Sequence, residues 1–179
     1  MPDHYPYRIA TRRGDLHLIW RAGEQDDPDT LAVDDRRRLL AFHDAGTLQE
    51  HCDRHGWELV RDAEAVLDLE VVRQAVQDPH RRTDPTGPLL DAWNFFEDLA
   101  RSVDTATALP AQGAVHDIAY DRFFDPDAGG AWSDEEAAAV RGLLRAGLDL
   151  WDEAARDALV PDAALLTRPA DAARPVPPT

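Results

Sequence analysis

Alternating apolar and polar residues define the first elements of the chain. The segment "YRIATRRGDLHLIW" alternates on both sides of "RRGD", which is typical of a β-hairpin that turns at Gly14. This pattern places three residues on one face of the first strand, Tyr7, Ile9 and Thr11. It places three more on one face of the returning strand, Leu16, Leu18 and Trp20. The apolar run from Leu39 to Phe42 predicts a third short strand, and "WELV" is a candidate for another.

Helical periodicity begins after these strands. Thr47 and Glu50 form a potential capping box for a short helix that ends before Gly56, and Asp68 can cap a helix through "LEVVRQAVQD". Residues 114 to 124 suit a further helix. Ser133 and Glu136 form a second capping box, which opens a long helix ending near residue 159. One stripe of that last helix is apolar and carries Val140, Leu144, Leu148, Trp151 and Ala155.

The most strongly patterned segment is "LLDAWNFFEDLARSV", residues 89 to 103. Its apolar face predicts a central core helix and carries Leu89, Leu90, Trp93, Phe96, Leu99, Ala100 and Val103. The opposite polar stripe carries Asp91, Asn94, Asp98 and Arg101. Phe95 falls at the border and is expected to be half exposed.

The order of these elements predicts an α+β fold. A small antiparallel or mixed N-terminal sheet is followed by a layer of four to five helices. Residues 1–159 are expected to form one domain, because 179 residues suffice for one sizeable core. Residues 160–179 are rich in Pro and Ala and are expected to be a disordered tail.

Charge narrows the classes of partner. The chain has a net charge of −16, and residues 62–136 alone carry 17 acids against 5 arginines, a net charge of −12. An acidic surface of this kind disfavours nucleic acid as a ligand and favours a basic protein partner. The alternative is that the acidity serves only solubility.

Location follows from what the sequence lacks. No apolar run is long enough to span a membrane, and the N-terminus has no secretory signal core. Cys52 is the only cysteine, so no disulfide can form within the chain. A cytoplasmic protein is expected; the alternative is a mature form whose signal had been removed.

Sites for nucleophilic catalysis or for zinc are not indicated. The only serines are Ser102 and Ser133, and neither lies in a nucleophile motif. His51 and His55 are spaced for a shared zinc ion, but no second ligand pair completes the site. The alternative is an amphipathic helix with a buried Cys52 and two surface histidines.

The segment "DPDAGGAWSDEE" resembles the calcium-binding loop of an EF-hand. With Asp125 as loop position one, Asp127, Gly130 and Glu136 fall at positions three, six and twelve. The segment departs from the pattern at position five, where Gly129 has no side-chain oxygen, and no second loop is present to pair with it. A calcium-responsive module with Asp125, Asp127 and Glu136 as ligands is one alternative function.

Three segments together carry a family resemblance. The order "LLDAWNFFEDLARSV", "IAYDRFF" and "AWSDEEAAAVRGLLRAGLDLW" resembles a loosely defined group of small acidic bacterial proteins that are similar to toxin-immunity partners. Asn94, Asp98, Tyr120 and Asp121 match the recurring positions of the group. The segment "DPDAGGA" departs from it. The resemblance implies a binding role and no catalytic residue.

The leading hypothesis is therefore a non-enzymatic binding protein of the immunity or antitoxin type, which covers a basic toxin or another basic protein and needs no cofactor. The proposed partner-binding residues are Asp91, Asn94, Asp98, Asp117 and Asp121. An enzyme with a site assembled from scattered residues is a further alternative. For Asn94, the only asparagine, two interpretations stay open: a structural link to "YDRFF", which is favoured, or a contact with the partner.

Overall fold

The computed structural model of the protein describes residues 3–60, 65–78, 87–105, 108–124 and 132–158. Four strands and five helices lie in these ranges. In chain order they are β1 (His4–Ala10), β2 (Leu16–Arg21), β3 (Thr30–Leu31), α1 (Ala45–His55), β4 (Ala65–Asp68), α2 (Leu69–Gln77), α3 (Gly87–Ser102), α4 (Ala114–Asp121) and α5 (Asp134–Asp157). The predicted α+β class is confirmed. The predicted tail, residues 160–179, lies outside the described residues.

The predicted hairpin forms the centre of a mixed sheet. The strand order is β3-β2-β1-β4, with β1 and β2 antiparallel and β1 and β4 parallel. Ile9 pairs with Leu16 and Tyr7 with Leu18, so these four residues lie on one face, as the alternation predicts. Gly14 has a φ of 115° and its N–H donates to the carbonyl of Thr11. Glycine adopts this left-handed backbone conformation with little steric strain, which explains why the turn forms at Gly14.

The sheet is covered on both faces. Leu18 belongs to the main core beneath α3 and α5, whereas its neighbour Ile19 belongs to a second cluster beneath α1. Successive side chains of a strand point to opposite faces, so adjacent apolar residues in β2 require two covering layers. The second cluster is small and contains Ile19, Ala32, Leu40, Phe42, Leu48 and Cys52.

The start of α1 differs from the prediction. Asp44, not Thr47, is the N-cap: its Oδ1 accepts from the N–H of Thr47 at 2.8 Å, and its Oδ2 accepts from the Thr47 hydroxyl at 2.9 Å. An aspartate is among the strongest caps, and Asp44 lies three residues nearer the start of the chain. The predicted end at Gly56 is confirmed, where φ is 67°.

The third and fourth strands also differ from the prediction. Leu39 and Phe42 each make one isolated bridge, to Val33 and His17, and the third strand is β3. Within "WELV" only Leu59 forms a bridge, with His4. The pattern missed β4, which has only four residues and pairs with a strand distant in sequence.

Helix α3 is the central core helix, as predicted. It packs against α2, α5, β3 and β4. The prediction for Phe95 was wrong, because this residue is 3% exposed. Its ring stacks on Tyr7 from the sheet at 5.5 Å and meets Trp151 from α5 at 5.7 Å. The helix is covered on two sides, which its own periodicity does not reveal.

Helix α5 begins as predicted. The Ser133 hydroxyl accepts from the N–H of Glu136, and the Glu136 carboxylate accepts from the N–H of Ser133 at 2.8 Å. This reciprocal pair satisfies two donors that a helix start leaves open. Of the predicted apolar stripe, Val140, Leu144, Leu148 and Trp151 are buried and Ala155 is half buried.

Candidate functional site

Three residues of the polar stripe of α3, namely Asp91, Asn94 and Asp98, line a cavity. The cavity has a volume of about 390 Å³ and lies between α3, the β1–β2 hairpin, the loop before β3, and α4. We call it the α3 cavity. The described residues that line it are Tyr7, Trp20, Asp29, Asp91, Asn94, Phe95, Glu97, Asp98 and Tyr120.

The lining of the α3 cavity has two chemical components. Four of its residues are acids, four are aromatic, and one is Asn94; no described residue that lines it is basic. Such a lining combines negative charge with π faces, both of which attract an organic cation.

Asp98 connects α3 to the hairpin and to its own last turn. Its Oδ2 accepts from Trp20 Nε1 at 3.1 Å, and its Oδ1 accepts from an Arg101 terminal nitrogen at 2.8 Å. Burial nevertheless raises the pKa of Asp98 above its ordinary value, against the lowering effect of Trp20 and Arg101. The rise in pKa that desolvation causes is therefore larger than the fall that the hydrogen bonds from Trp20 and Arg101 cause.

Asp91 lies two turns earlier on α3 and is exposed at the rim of the cavity. It makes no hydrogen bond or ion pair with any residue that the structure describes. Partial burial raises the pKa of its carboxylate, and no nearby cation lowers it. Asp91 thus places a negative charge at the cavity without a counterion among the described residues.

Asn94 connects α3 to α4. Its Oδ1 accepts from the Tyr120 hydroxyl at 3.0 Å, and the Tyr120 ring packs edge-on against Trp93 at 5.4 Å. The favoured contact between Asn94 and the "YDRFF" segment is therefore present. Because Asn94 also lines the α3 cavity, a contact with a partner stays open as a prediction.

Tyr7 lines the cavity from β1, where the sheet packs against α3. Its ring stacks on Phe95, and no described residue hydrogen-bonds its hydroxyl. Burial raises the pKa of Tyr7, with further contributions from the charges of Asp91 and Asp98. The hydroxyl therefore stays protonated and can act as a donor or an acceptor towards a ligand.

The predicted partner-binding residues do not all lie together. Asp91, Asn94 and Asp98 line the α3 cavity, whereas Asp117 and Asp121 are exposed on α4 and are not part of its described lining. Sequence reasoning missed the cavity residues outside α3 and α4, which are Tyr7, Trp20 and Asp29. The alternation had placed Tyr7 and Trp20 only on strand faces; that they meet α3 follows from packing between elements.

The predicted calcium ligands are only partly described. Asp125 and Asp127 lie outside the described residues. Both carboxylate oxygens of Glu136 accept from Arg122, at 2.8 and 3.1 Å, and one also accepts from the N–H of Ser133. This ion pair lowers the pKa of Glu136 and uses the oxygens that a bidentate calcium ligand would need.

The candidate zinc residues lie beside the small cluster beneath α1. Cys52 is buried, as expected, and its pKa is raised by burial to about 11. The expectation of a surface His51 was wrong: it is 7% exposed, and its ring lies 4.2 Å from that of the exposed His55. In the part of the chain that the structure describes, no group of three His, Cys, Asp or Glu side chains is placed to hold a metal ion.

Within the described ranges, none of the helices is both long enough and apolar enough to cross a membrane.

Comparisons with known proteins bear on the fold. No protein-family model and no curated protein matches the sequence. Among solved structures, the chain is similar to the C-terminal domain of SatS, whose crystal structure is a complex with bromine. The TM-score is 0.50 with 15% identical residues, over 88% of this chain and 93% of the SatS chain. At that identity the likeness shows a shared fold and nothing about function.

Proposed function

We propose that this protein is a non-enzymatic binding protein that holds a basic protein partner against the acidic side of α3. The observation that carries the proposal is the α3 cavity, whose lining includes four acids from α3 and the loop before β3 and no described basic residue. Arg101 pairs with Asp98 at the edge of the cavity, but the four acids still outnumber this one cation, and a concavity with net negative charge attracts a positively charged surface and rejects a negative one.

The charge around the cavity supports the same partner. Residues 62–136, which include α3 and α4, carry a net charge of −12 out of −16 for the chain. The exposed Asp117 and Asp121 on α4 extend the negative surface next to the cavity. A basic protein would meet a cavity and a surrounding acidic surface together, and long-range attraction would speed its approach.

Other ligand classes fit the site less well. Phosphate groups would be repelled by Asp29, Asp91 and Asp98, which disfavours nucleic acid. A metal ion would need three converging ligands, and the described residues hold no such group. Of the residues described as lining the cavity, none is a Ser, Cys or His that could serve as a nucleophile or its base.

The more specific form of the proposal is an immunity or antitoxin protein whose partner is a basic toxin. The resemblance of "LLDAWNFFEDLARSV" and "IAYDRFF" to immunity-type proteins motivates it. A nuclease toxin would suit the charge, because its substrate path is basic and an acidic protein can occupy it.

Affinity capture from a lysate of the native host, with the full chain as bait, tests the proposal. We expect a protein of positive net charge to be retained at about 0.05 M salt and released by about 1 M, where the screening length falls to about 3 Å. Asp91→Arg is expected to abolish retention, because it places a cation at the cavity. Glu153→Arg is the matched control: it makes the same charge change at an exposed position on α5, outside the described lining.

Three results would contradict the proposal. The first is that no basic protein is retained at low salt, and the second is that release does not depend on salt. The third is that Asp91→Arg and Glu153→Arg retain the partner equally. Melting temperatures of both variants check that a loss of retention is not a loss of folding.

A further inference from the structure

We infer that the α3 cavity accepts an arginine side chain of the basic partner, with the guanidinium held between the acids of α3 and the aromatic rings of the cavity. This inference rests on the proposed function, since it names the group that the partner inserts. It also explains why a single cavity lining contains both carboxylates and aromatic rings.

The polar groups left open in the cavity are mainly acceptors. Asp91 makes no hydrogen bond or ion pair with any described residue, and each oxygen of Asp98 accepts one bond where a carboxylate oxygen can accept two. A guanidinium has five donors and no acceptor, which matches a lining whose open polar groups are acceptors. The Tyr7 hydroxyl, which no described residue bonds, can accept a further donor.

The cavity already has a guanidinium at its edge. The same terminal nitrogen of Arg101 donates to Asp98 Oδ1 at 2.8 Å and to the main-chain oxygen of Asp29 at 2.8 Å. Both acceptor residues line the cavity. Arg101 therefore occupies these oxygens itself, and Asp91, which has no partner among the described residues, is the carboxylate left for a guanidinium of the partner.

The aromatic rings favour arginine over lysine. Tyr7, Trp20 and Tyr120 are half-buried rings of the lining, whereas Phe95 lies buried against Tyr7 with ring centres 5.5 Å apart. A planar guanidinium stacks on such rings and is less strongly hydrated than an ammonium, so it loses less on entering a partly enclosed site.

Size is consistent with one inserted side chain. The volume of about 390 Å³ lies near the lower end of the roughly 300–1,000 Å³ range of ligand cavities. It has room for an arginine with its methylene stem, which can lie against the rings while the charged end reaches the acids.

Three short peptides test the inference: acetyl-Gly-Arg-Gly-amide, its lysine counterpart and its citrulline counterpart, which is close to arginine in shape but neutral. The readout is the indole N–H resonance of Trp20 in the full chain, assigned with Trp20→Phe, because this group bonds Asp98 inside the cavity. We expect the arginine peptide to shift this resonance with an affinity about threefold or more above that of the lysine peptide and about tenfold above that of citrulline. The shift should be lost in Asp91→Arg and kept in Glu153→Arg.

The outcomes separate this inference from the proposed function. If arginine and lysine peptides shift Trp20 equally, or if citrulline does so as strongly as arginine, the arginine site is wrong. If no peptide shifts Trp20 while the basic partner is still captured in a salt-dependent way, the arginine site is wrong and the binding function stands. If capture fails as well, both are wrong.

Discussion

The imidazole of His51 is buried among aromatic rings, 5.2 Å from Phe42 and 5.7 Å from Trp57. Neither ring nitrogen has a hydrogen-bond partner among the described residues. Burial, followed by the charges of His55 and Arg54, lowers its pKa from 6.5 to about 4. The folded protein therefore keeps His51 neutral over a range in which the unfolded chain protonates it.

This depressed pKa predicts a loss of stability in mild acid. The contribution of His51 is fully present above pH 6.5, falls as the pH drops below that value, and stops falling near pH 4. Urea unfolding at about pH 7 and about pH 5 measures it, with His51→Leu as the control that removes the titrating group. The wild-type protein should lose more stability than the variant between the two values. An equal loss would show that other groups govern the pH dependence.

Single residues also show the limit of sequence reasoning at this scale. Phe95 was expected to be half exposed and His51 to lie on the surface, because each lies at the edge of an apolar stripe on its own helix. Phe95 is buried by Tyr7 and Trp151, and His51 lies against Phe42 and Trp57. Burial by a neighbouring element has no signal in the periodicity of one helix.

At the scale of elements, one hydrogen bond joins α3 to α4. Tyr120 donates to Asn94 across 26 residues of sequence. Asn94→Ala and Tyr120→Phe should each cost about 1 kcal/mol of unfolding free energy, and the double variant should cost less than both single changes together, because they remove the same bond. Urea unfolding of the three variants measures this coupling. Additive costs would show that the bond contributes nothing, and Asn94 would then be explained better by partner contact.

The contact between Gly147 on α5 and Phe96 on α3 gives a second prediction at this scale. A Cβ at Gly147 would lie 2.1 Å from Phe96 Cδ2, and Phe96 is 0% exposed, so its ring has little room to move. Gly147→Ala should destabilise the protein by about 1–3 kcal/mol. Gly142→Ala, on the same helix with nothing within 4 Å, should stabilise it by about 0.5–1 kcal/mol.

Thermal unfolding of the two alanine variants measures both effects. About 1 kcal/mol corresponds to a shift of roughly 2–4 °C for a chain of this size. The two melting temperatures should move in opposite directions. A stabilising Gly147→Ala would mean that the helices are not held at this separation.

Helices and strands that are marked by a pattern within their own residues were predicted better than those whose position depends on distant parts of the chain. The hairpin, α3 and the capped start of α5 follow from alternation, periodicity and a capping box within a few residues. Strand β4 was missed because it has four residues and pairs in parallel with β1, more than fifty residues earlier. Its pairing is fixed by the whole sheet, and a four-residue pattern cannot specify it.

At the scale of the whole molecule, the candidate site is assembled from distant parts of the chain. The bond from Trp20 to Asp98 spans 78 residues, and Asp29 enters the lining from a loop whose polar sequence gives no indication of a site. The sequence did indicate the polar stripe of α3 and the concentration of acids around it. It could not indicate the cavity, because the cavity exists only when the hairpin and α4 are placed against α3.

The central claim is that the acidic α3 cavity binds a basic protein. Calorimetric titration of the captured, purified partner into the wild-type chain, Asp91→Arg and Glu153→Arg at low salt tests it most directly. We expect Asp91→Arg to weaken binding by about 100-fold, or about 2.7 kcal/mol, and Glu153→Arg by about threefold or less. Equal affinities for the two variants would contradict the claim.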